Sequence, residues 1–144
     1  MKKSDHPITV RQTYPVSAQD VWNAITSVEA MRNWYFPNIE SFRTEPGFET
    51  RFVVQNDDRM FPHVWTIVNV NPLKNLRYEW RYEGYPGLAV VDFDLSETDD
   101  ATELTVTFTV LEDFSDDIHE FKRERAEDGW RYLIKDSLKN YLNR

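Results

Sequence analysis

The sequence predicts an α+β domain in which an antiparallel sheet of about six to seven strands is covered on one face by a long C-terminal helix. Three observations carry that reading. From His119 to Arg144 the apolar residues Phe121, Ala126, Trp130, Leu133, Ile134, Leu138, Tyr141 and Leu142 recur at helical spacing on one face. The region before it alternates apolar and polar residues between tight turns, as half-buried antiparallel strands do. Near the start, Ser17 and Ser27 each stand just ahead of a short helical pattern.

Taken in order, Ile8, Val10, Gln12 and Tyr14 alternate with Thr9, Arg11 and Thr13, a strand that Pro15 ends. Ser17 then acts as N-cap with Asp20 three residues on, and Val16 and Val21 are placed for a hydrophobic staple. This helix carries Val21, Trp22 and Ile25. Ser27 caps a second one bearing Met31 and Trp34, and Pro37 stops it. From Ile39 to Leu111 the pattern is strand and turn throughout. Phe48, Thr50, Phe52 and Val54 alternate with polar neighbours, and Asn56-Asp57-Asp58 is a turn. Val64 to Val70 is apolar on both parities, so its orientation is open. Leu76, Tyr78, Trp80 and Tyr82 alternate with Arg77, Glu79, Arg81 and Glu83, the cleanest strand in the chain; the charged set reads as a solvated sheet face. Gly84-Tyr85-Pro86-Gly87 is a turn. Val91, Phe93 and Leu95 form the next strand, Asp99-Asp100 turns, and Leu104, Val106, Phe108 and Val110 alternate with threonines.

The terminal helix is expected to run from Asp116 to Leu142, about 27 residues and about 40 Å. Ser115 is its expected cap, with Asp116 and Asp117 at the positive end of the dipole and Lys135, Lys139 and Arg144 toward the negative end. Its buried face is Phe121, Trp130, Ile134, Leu138 and Tyr141. Gly129 is the odd residue, because a mid-helix glycine costs about 1 kcal/mol against alanine. Either it accommodates a packed strand, or with Trp130 it lines a cavity.

The 144 residues suit one domain spanning 1–144. No cysteine is present, which excludes disulfides, thiolate metal sites and a cysteine nucleophile. The start, MKKSDHPITV, has no apolar run after its lysines and does not read as a signal peptide. No stretch is long and apolar enough for a membrane span, and the cytoplasm is the default location. The net charge of −8 disfavours nucleic acid as a partner.

This order of elements, together with Val21-Trp22, Ala24-Ile25-Thr26, Trp34-Tyr35, Pro46-Gly47, Pro72 followed by Leu76 and Trp80, and Gly129-Trp130 followed by Ile134, resembles the START-like or SRPBCC superfamily. Its fold is called helix-grip or Bet v 1-like. Within it the sequence is most similar to the group named for the activator of Hsp90 ATPase, over nearly the whole chain. The resemblance implies a curved sheet wrapped around the terminal helix with a cavity between them, used in relatives for lipids, sterols, hormones or polyketides. Two positions depart from the pattern. Phe48 stands where a second glycine is common, and Ser137 where leucine is common. They imply a narrower and more polar space under the helix.

The candidate ligand-binding residues are Trp34, Phe52, Trp65, Tyr78, Trp80, Tyr82, Phe93, Phe108, Trp130 and Ile134, an aromatic interior suited to a small hydrophobic ligand with a few polar tips. The alternative is that these rings fill the space themselves. His63 is a weak candidate for an acid or base facing the cavity. His6 reads as exposed, and His119 among Asp113, Asp116, Asp117 and Glu120 reads as a dipole complement, so no metal site and no cofactor are called for. Phe61 in Met60-Phe61-Pro62 and Tyr85 between Gly84 and Gly87 are apolar residues in apparent turns; the resemblance places both loops at the cavity mouth, where they would form a lid hinged on the two glycines. Packing of both rings on the sheet edge is the alternative. The leading functional expectation is non-enzymatic binding of a small hydrophobic molecule, lipid-like or aromatic. The others are a chaperone-associated protein-interaction domain and a cyclase- or hydrolase-like enzyme using the same cavity.

Overall fold

The alternating segments pair as a meander closed by the first strand. The computed structural model describes residues 1–143. It contains β1 (Ile8–Tyr14), α1 (Ala18–Thr26), α2 (Val28–Trp34), β2 (Glu49–Asn56), β3 (Arg59–Asn71), β4 (Asn75–Tyr82), β5 (Leu88–Thr98) and β6 (Ala101–Glu112), followed by the terminal helical segment. The sheet is antiparallel throughout, in the order β1-β6-β5-β4-β3-β2. Consecutive strands β2 to β6 are neighbours because short turns permit nothing else. The two short helices carry the chain from one edge of the sheet to the other. Ser17 Oγ accepts from the Asp20 amide at 3.2 Å, so the expected cap forms. Pro37 falls just beyond Tyr35, the C-cap of α2.

The strand expected to start at Ile39 does not form. Residues 39–48 run as irregular chain, and the sheet has six strands. Ile39 and Phe42 are buried, but they are three residues apart, which is not a strand spacing. The Arg32 guanidinium takes the Ile39 and Glu40 carbonyls at 2.7 and 2.9 Å, so this backbone is satisfied by a side chain in place of a ladder.

The segment of open orientation resolves through two features. Phe61, His63, Trp65 and Ile67 face the interior, and a bulge between Ile67 and Asn69 then shifts the parity and bends the strand. Val64, on the outer face, lies between Arg51 and Arg81 in the register and is buried beneath them. Around it the outer face carries ion pairs. Arg77 pairs with Asp92 at 2.7 Å, Arg81 with Glu49 at 3.7 Å, and Arg51 with both Glu49 and Glu83.

The terminal helix departs from expectation at its start and in its middle. Asp116 and Asp113 do not open a helix; they accept from the Lys2 ammonium at 2.8 Å and the Lys3 amide at 2.6 Å. Ser115 Oγ accepts only from the Asp117 amide, a local turn that competes with helix. A 3₁₀ turn at His119–Phe121 follows, and the helix itself occupies residues 123–142, about 30 Å. It comprises α3 (Arg123–Tyr132), a π turn at Leu133–Ser137, and α4 (Leu138–Leu142). Trp130, Ile134, Leu138 and Leu142 are each four apart, a spacing that drifts about 40° per step around an α-helix. The wider π turn takes up that drift. One buried and one part-buried bond fix it. The Tyr14 hydroxyl donates to the Ile134 carbonyl at 2.5 Å, and Ser137 Oγ donates to the Trp34 carbonyl at 2.7 Å. Ser137 therefore ties the helix to α2. Lys135 reaches the Arg11 carbonyl at 2.9 Å; Arg144 lies outside the described residues. No described helix is long and apolar enough to cross a membrane.

The Tyr14→Phe substitution keeps the ring and removes the bond to Ile134. Urea denaturation is expected to show a loss of about 1–2 kcal/mol with an unchanged m-value. A variant as stable as the parent would mean that the π turn does not depend on this hydroxyl.

Candidate functional site

Between the helix and one half of the sheet lies a cavity of about 230 Å³. Its sheet wall is Val54 and Asn56 of β2, Phe61 and His63 of β3, Trp80 and Tyr82 of β4, and Phe108 of β6. Its helix wall is Ala126, Gly129, Trp130 and Leu133. Phe36, following α2, and Met1 and Phe121 add apolar surface, while Glu120 and Arg125 join the polar part of the rim.

Of the expected ligand-binding residues, Trp80, Tyr82, Phe108 and Trp130 line this cavity. The other six lie behind or beside it. Trp34 is buried, with its indole N–H donating to the Ala24 carbonyl at 2.7 Å. Trp65, Tyr78, Phe93 and Ile134 are nearly fully buried in the packed half of the interior, and Phe52 stacks on His63 with ring centroids 4.7 Å apart. Tyr35 organises the packed half. It stacks on Trp34 and Trp65 at 4.7 and 5.1 Å, and its hydroxyl meets that of Tyr78 at 2.5 Å. Burial drives both phenol pKa values upward, so both stay neutral. The aromatic interior is thus partly filled and partly open.

Gly129 borders the open part. A Cβ built on it meets nothing within 4 Å, so close approach of a strand is not its purpose. Gly129 is itself exposed, so the absent side chain leaves the mouth of the cavity open.

His63 is 4% exposed and lies in the wall. Its Nδ1 is 2.9 Å from the Phe61 carbonyl, which can only accept, so the proton sits on Nδ1 and Nε2 is unprotonated. Burial pushes the imidazole pKa down to about 4, against a smaller upward effect of the Phe61 bond. His63 is therefore neutral at pH 7, and Nδ1 is held by a carbonyl where a catalytic pair would have a carboxylate. At the rim, Glu120 accepts from Asn56 Nδ2 at 2.6 Å and from Arg59 at 3.2 Å. Burial opposes its charge, but hydrogen bonds from its own backbone and Asn56 and the nearby Arg59 hold its carboxyl below the usual range.

Of the two expected lid residues, Phe61 borders the cavity as expected, but from a strand in place of a turn. Phe61 is within β3, paired with Val54, because the hairpin turns tightly at Asp57-Asp58 with Asp57 at φ 55°. Pro62 is tolerated in the strand because its carbonyl faces Glu83, past the last residue of β4, so the ladder asks for no N–H there. Tyr85 does sit in the expected turn, but behind Phe61 with centroids 5.5 Å apart, and its hydroxyl donates to the Met60 carbonyl at 3.0 Å. Gly87, at φ +120°, has no room for a side chain, since a Cβ would lie 2.3 Å from the Phe114 ring. This geometry matches rings packed at the end of the sheet.

Sequence reasoning did not find Met1, Phe36, Asn56, Glu120 or Arg125 at the site. Met1 is brought there by main-chain bonds, its amine to the Phe121 carbonyl at 2.8 Å and its carbonyl from the Phe114 amide at 2.9 Å, for which no sequence signal exists. Arg125 was legible in principle, being four residues before Gly129 on the same helix face.

The profile of the activator of Hsp90 ATPase homolog 1-like proteins matches residues 15–143. The chain belongs to this family. No protein of curated function matches it. Among solved structures, Mll3558 from Rhizobium loti superposes with a TM-score of 0.81 at 19% identity, over 94% of this chain and 96% of that one. CalU16 from Micromonospora echinospora gives 0.68 at 24% identity, over 94% and 75%. The Aha1 dimer from Colwellia psychrerythraea gives 0.70 at 14% identity, over 96% of each chain. At these identities the likeness is one of fold, and the fold is the helix-grip fold with its sheet curved around the terminal helix.

The buried neutral histidine makes a pH-dependent contribution. Unfolded, His63 takes a proton below about 6.5; folded, it does so only below about 4. Between these values the unfolded state holds more protons, so stability falls as pH falls, by about 3 kcal/mol across the window. The stability difference between the parent and His63→Phe, measured in urea, is expected to shift by that amount toward the variant from pH 7 to pH 4. A difference independent of pH would show that the imidazole is not buried in its neutral form.

Proposed function

We propose that this protein binds a small hydrophobic molecule, lipid-like or aromatic, without transforming it, in the cavity between the sheet and the C-terminal helix. The observation that carries this reading is Gly129. An interior helical glycine costs about 1 kcal/mol against alanine, and here no packing contact compensates for it. What the missing side chain preserves is an open mouth, since Gly129 is exposed where it borders the cavity. The surrounding walls are ring faces and aliphatic carbon with few polar atoms, which is how a site for a lipophilic molecule is built. The cavity holds about 230 Å³. Since an apolar cavity of about 150 Å³ admits benzene, it suits a molecule of one or two rings.

An enzyme reading rests on His63, and its surroundings give little support. An imidazole with a pKa near 4 is a weak base at neutral pH. Among the described lining residues the only hydroxyl is that of Tyr82, whose pKa burial raises further. A chaperone-associated role is favoured by one observation, the match to the family named for an activator of Hsp90 ATPase. Stimulation of a purified Hsp90-type ATPase by this chain would support it, and unchanged turnover would count against it.

Cavity binding is tested by obstructing the cavity mouth from the helix side. Gly129→Leu is expected to keep the fold and gain up to about 1 kcal/mol of helix stability. Its affinity for 1-naphthamide, followed through tryptophan emission, should fall at least about tenfold, or about 1.4 kcal/mol. Naphthamide binding that survives the leucine would place the molecule elsewhere and sink the reading.

A further inference from the structure

The charges on α3 separate into two groups. Arg123 pairs with Glu127 at 3.2 Å, and Arg131 with Glu127 and Asp128 at 3.8 and 3.1 Å, on the side of the helix away from the cavity. Arg125 is outside that network. It is exposed, it lines the cavity, and among the described residues its guanidinium has no carboxylate partner. Across the opening, the Glu120 carboxylate is already engaged by Asn56 and Arg59. The ionisable group deeper in the wall, His63, is neutral. The cavity lining therefore carries two positive charges with no carboxylate bonded to them, the Arg125 guanidinium and the Met1 ammonium on the Phe121 carbonyl, on a chain whose net charge is −8. An anion repelled by the rest of the surface meets a favourable potential at this opening.

Behind the guanidinium the walls are rings. Trp80 stands edge-on to Phe108 and Trp130, with centroids 5.8 Å apart in each case. Such mutually tilted rings leave faces and edges toward the space between them, which a flat aromatic guest complements. Polar recognition at depth is limited. The Trp80 indole N–H is enclosed beside the Tyr82 hydroxyl, so a guest does not reach it without displacing the wall. The polar end of a guest is thus directed to the opening.

From this arrangement we infer that the ligand is a small aromatic carboxylic acid, its one or two rings held between Trp80, Phe108 and Trp130 and its carboxylate at the opening against Arg125. The planar guanidinium matches a carboxylate in a two-bond fork, and a solvent-facing position spares the anion full desolvation. This inference rests on the cavity-binding reading and deepens it from any hydrophobic molecule to an acidic aromatic one.

The test compares 1-naphthoate with its uncharged isostere 1-naphthamide, against the parent, Arg125→Gln and Gly129→Leu, by titration of tryptophan emission at low and at moderate salt. Arg125 is exposed, so its replacement leaves the core intact. The expected result is that the parent binds naphthoate about five- to tenfold tighter than naphthamide. Arg125→Gln should weaken naphthoate far more than naphthamide, so that most of the preference is lost, and added salt should weaken the naphthoate more than the naphthamide. Gly129→Leu should weaken both. Equal binding of the two probes by the parent, or a preference that survives Arg125→Gln largely intact, overturns the acid inference and leaves cavity binding standing. Failure of both probes to bind, or binding of both undiminished by Gly129→Leu, overturns the two readings together.

Discussion

A helix is about 10 Å across, and it must cover the inner face of a sheet whose six strands stand about 4.8 Å apart. The mismatch in width governs the interior of this protein. The helix spans only part of the sheet, and the uncovered apolar surface has to be met by something else. Toward one side it is met by α1, α2 and the irregular segment after them, which bring Trp34, Tyr35, Ile39 and Phe42 into contact with the sheet. Toward the other, from Trp80 to Phe61, the covering stops short and the cavity remains. Filled and open halves are two answers to one shortage of covering structure.

The position of the helix is set by its two fixed points at the π turn. Tyr14 comes from β1 and Ser137 reaches to the end of α2, so the helix is held to the sheet edge and to the short helices at once. Holding it there aims Gly129 and Trp130 at the open half. The hydrogen bonds are worth little singly. Their effect on the site is geometric, because they decide which face of the helix looks at which part of the sheet.

Most of the fold was legible because its signals are local. Period-two runs such as Leu76 to Tyr82, the cap at Ser17 and the turn at Asp57-Asp58 need no knowledge of the rest of the chain. The misreadings arose where distant residues supply the decisive bonds. The false strand near Ile39 is satisfied by Arg32, and the early start assigned to the last helix ignored Lys2 and Lys3, which claim Asp116 and Asp113. Phe61 looked like a turn residue because proline follows it, and only the ending of β4 explains why proline is harmless there. At the site, the inward set of rings was readable from parity. Which rings face a void and which face one another was not, since parity assigns a face and says nothing of depth. Arg125 and Glu120 were hidden in a run of charges whose partners only the folded chain reveals.

The π turn also makes the last helix a composite. Up to Tyr132 its apolar side addresses the sheet; beyond Leu138 it lies against α1 and α2. One residue in a helix is worth about 100° of rotation. Removal of a residue between Leu133 and Ser137 would therefore leave every side chain chemically in place yet turn the last segment away from its neighbours. Chain length at that point, independent of residue identity, is thus a heritable coordinate of the fold. Homologues that differ there by one residue would carry the same amino acids on a differently phased tail.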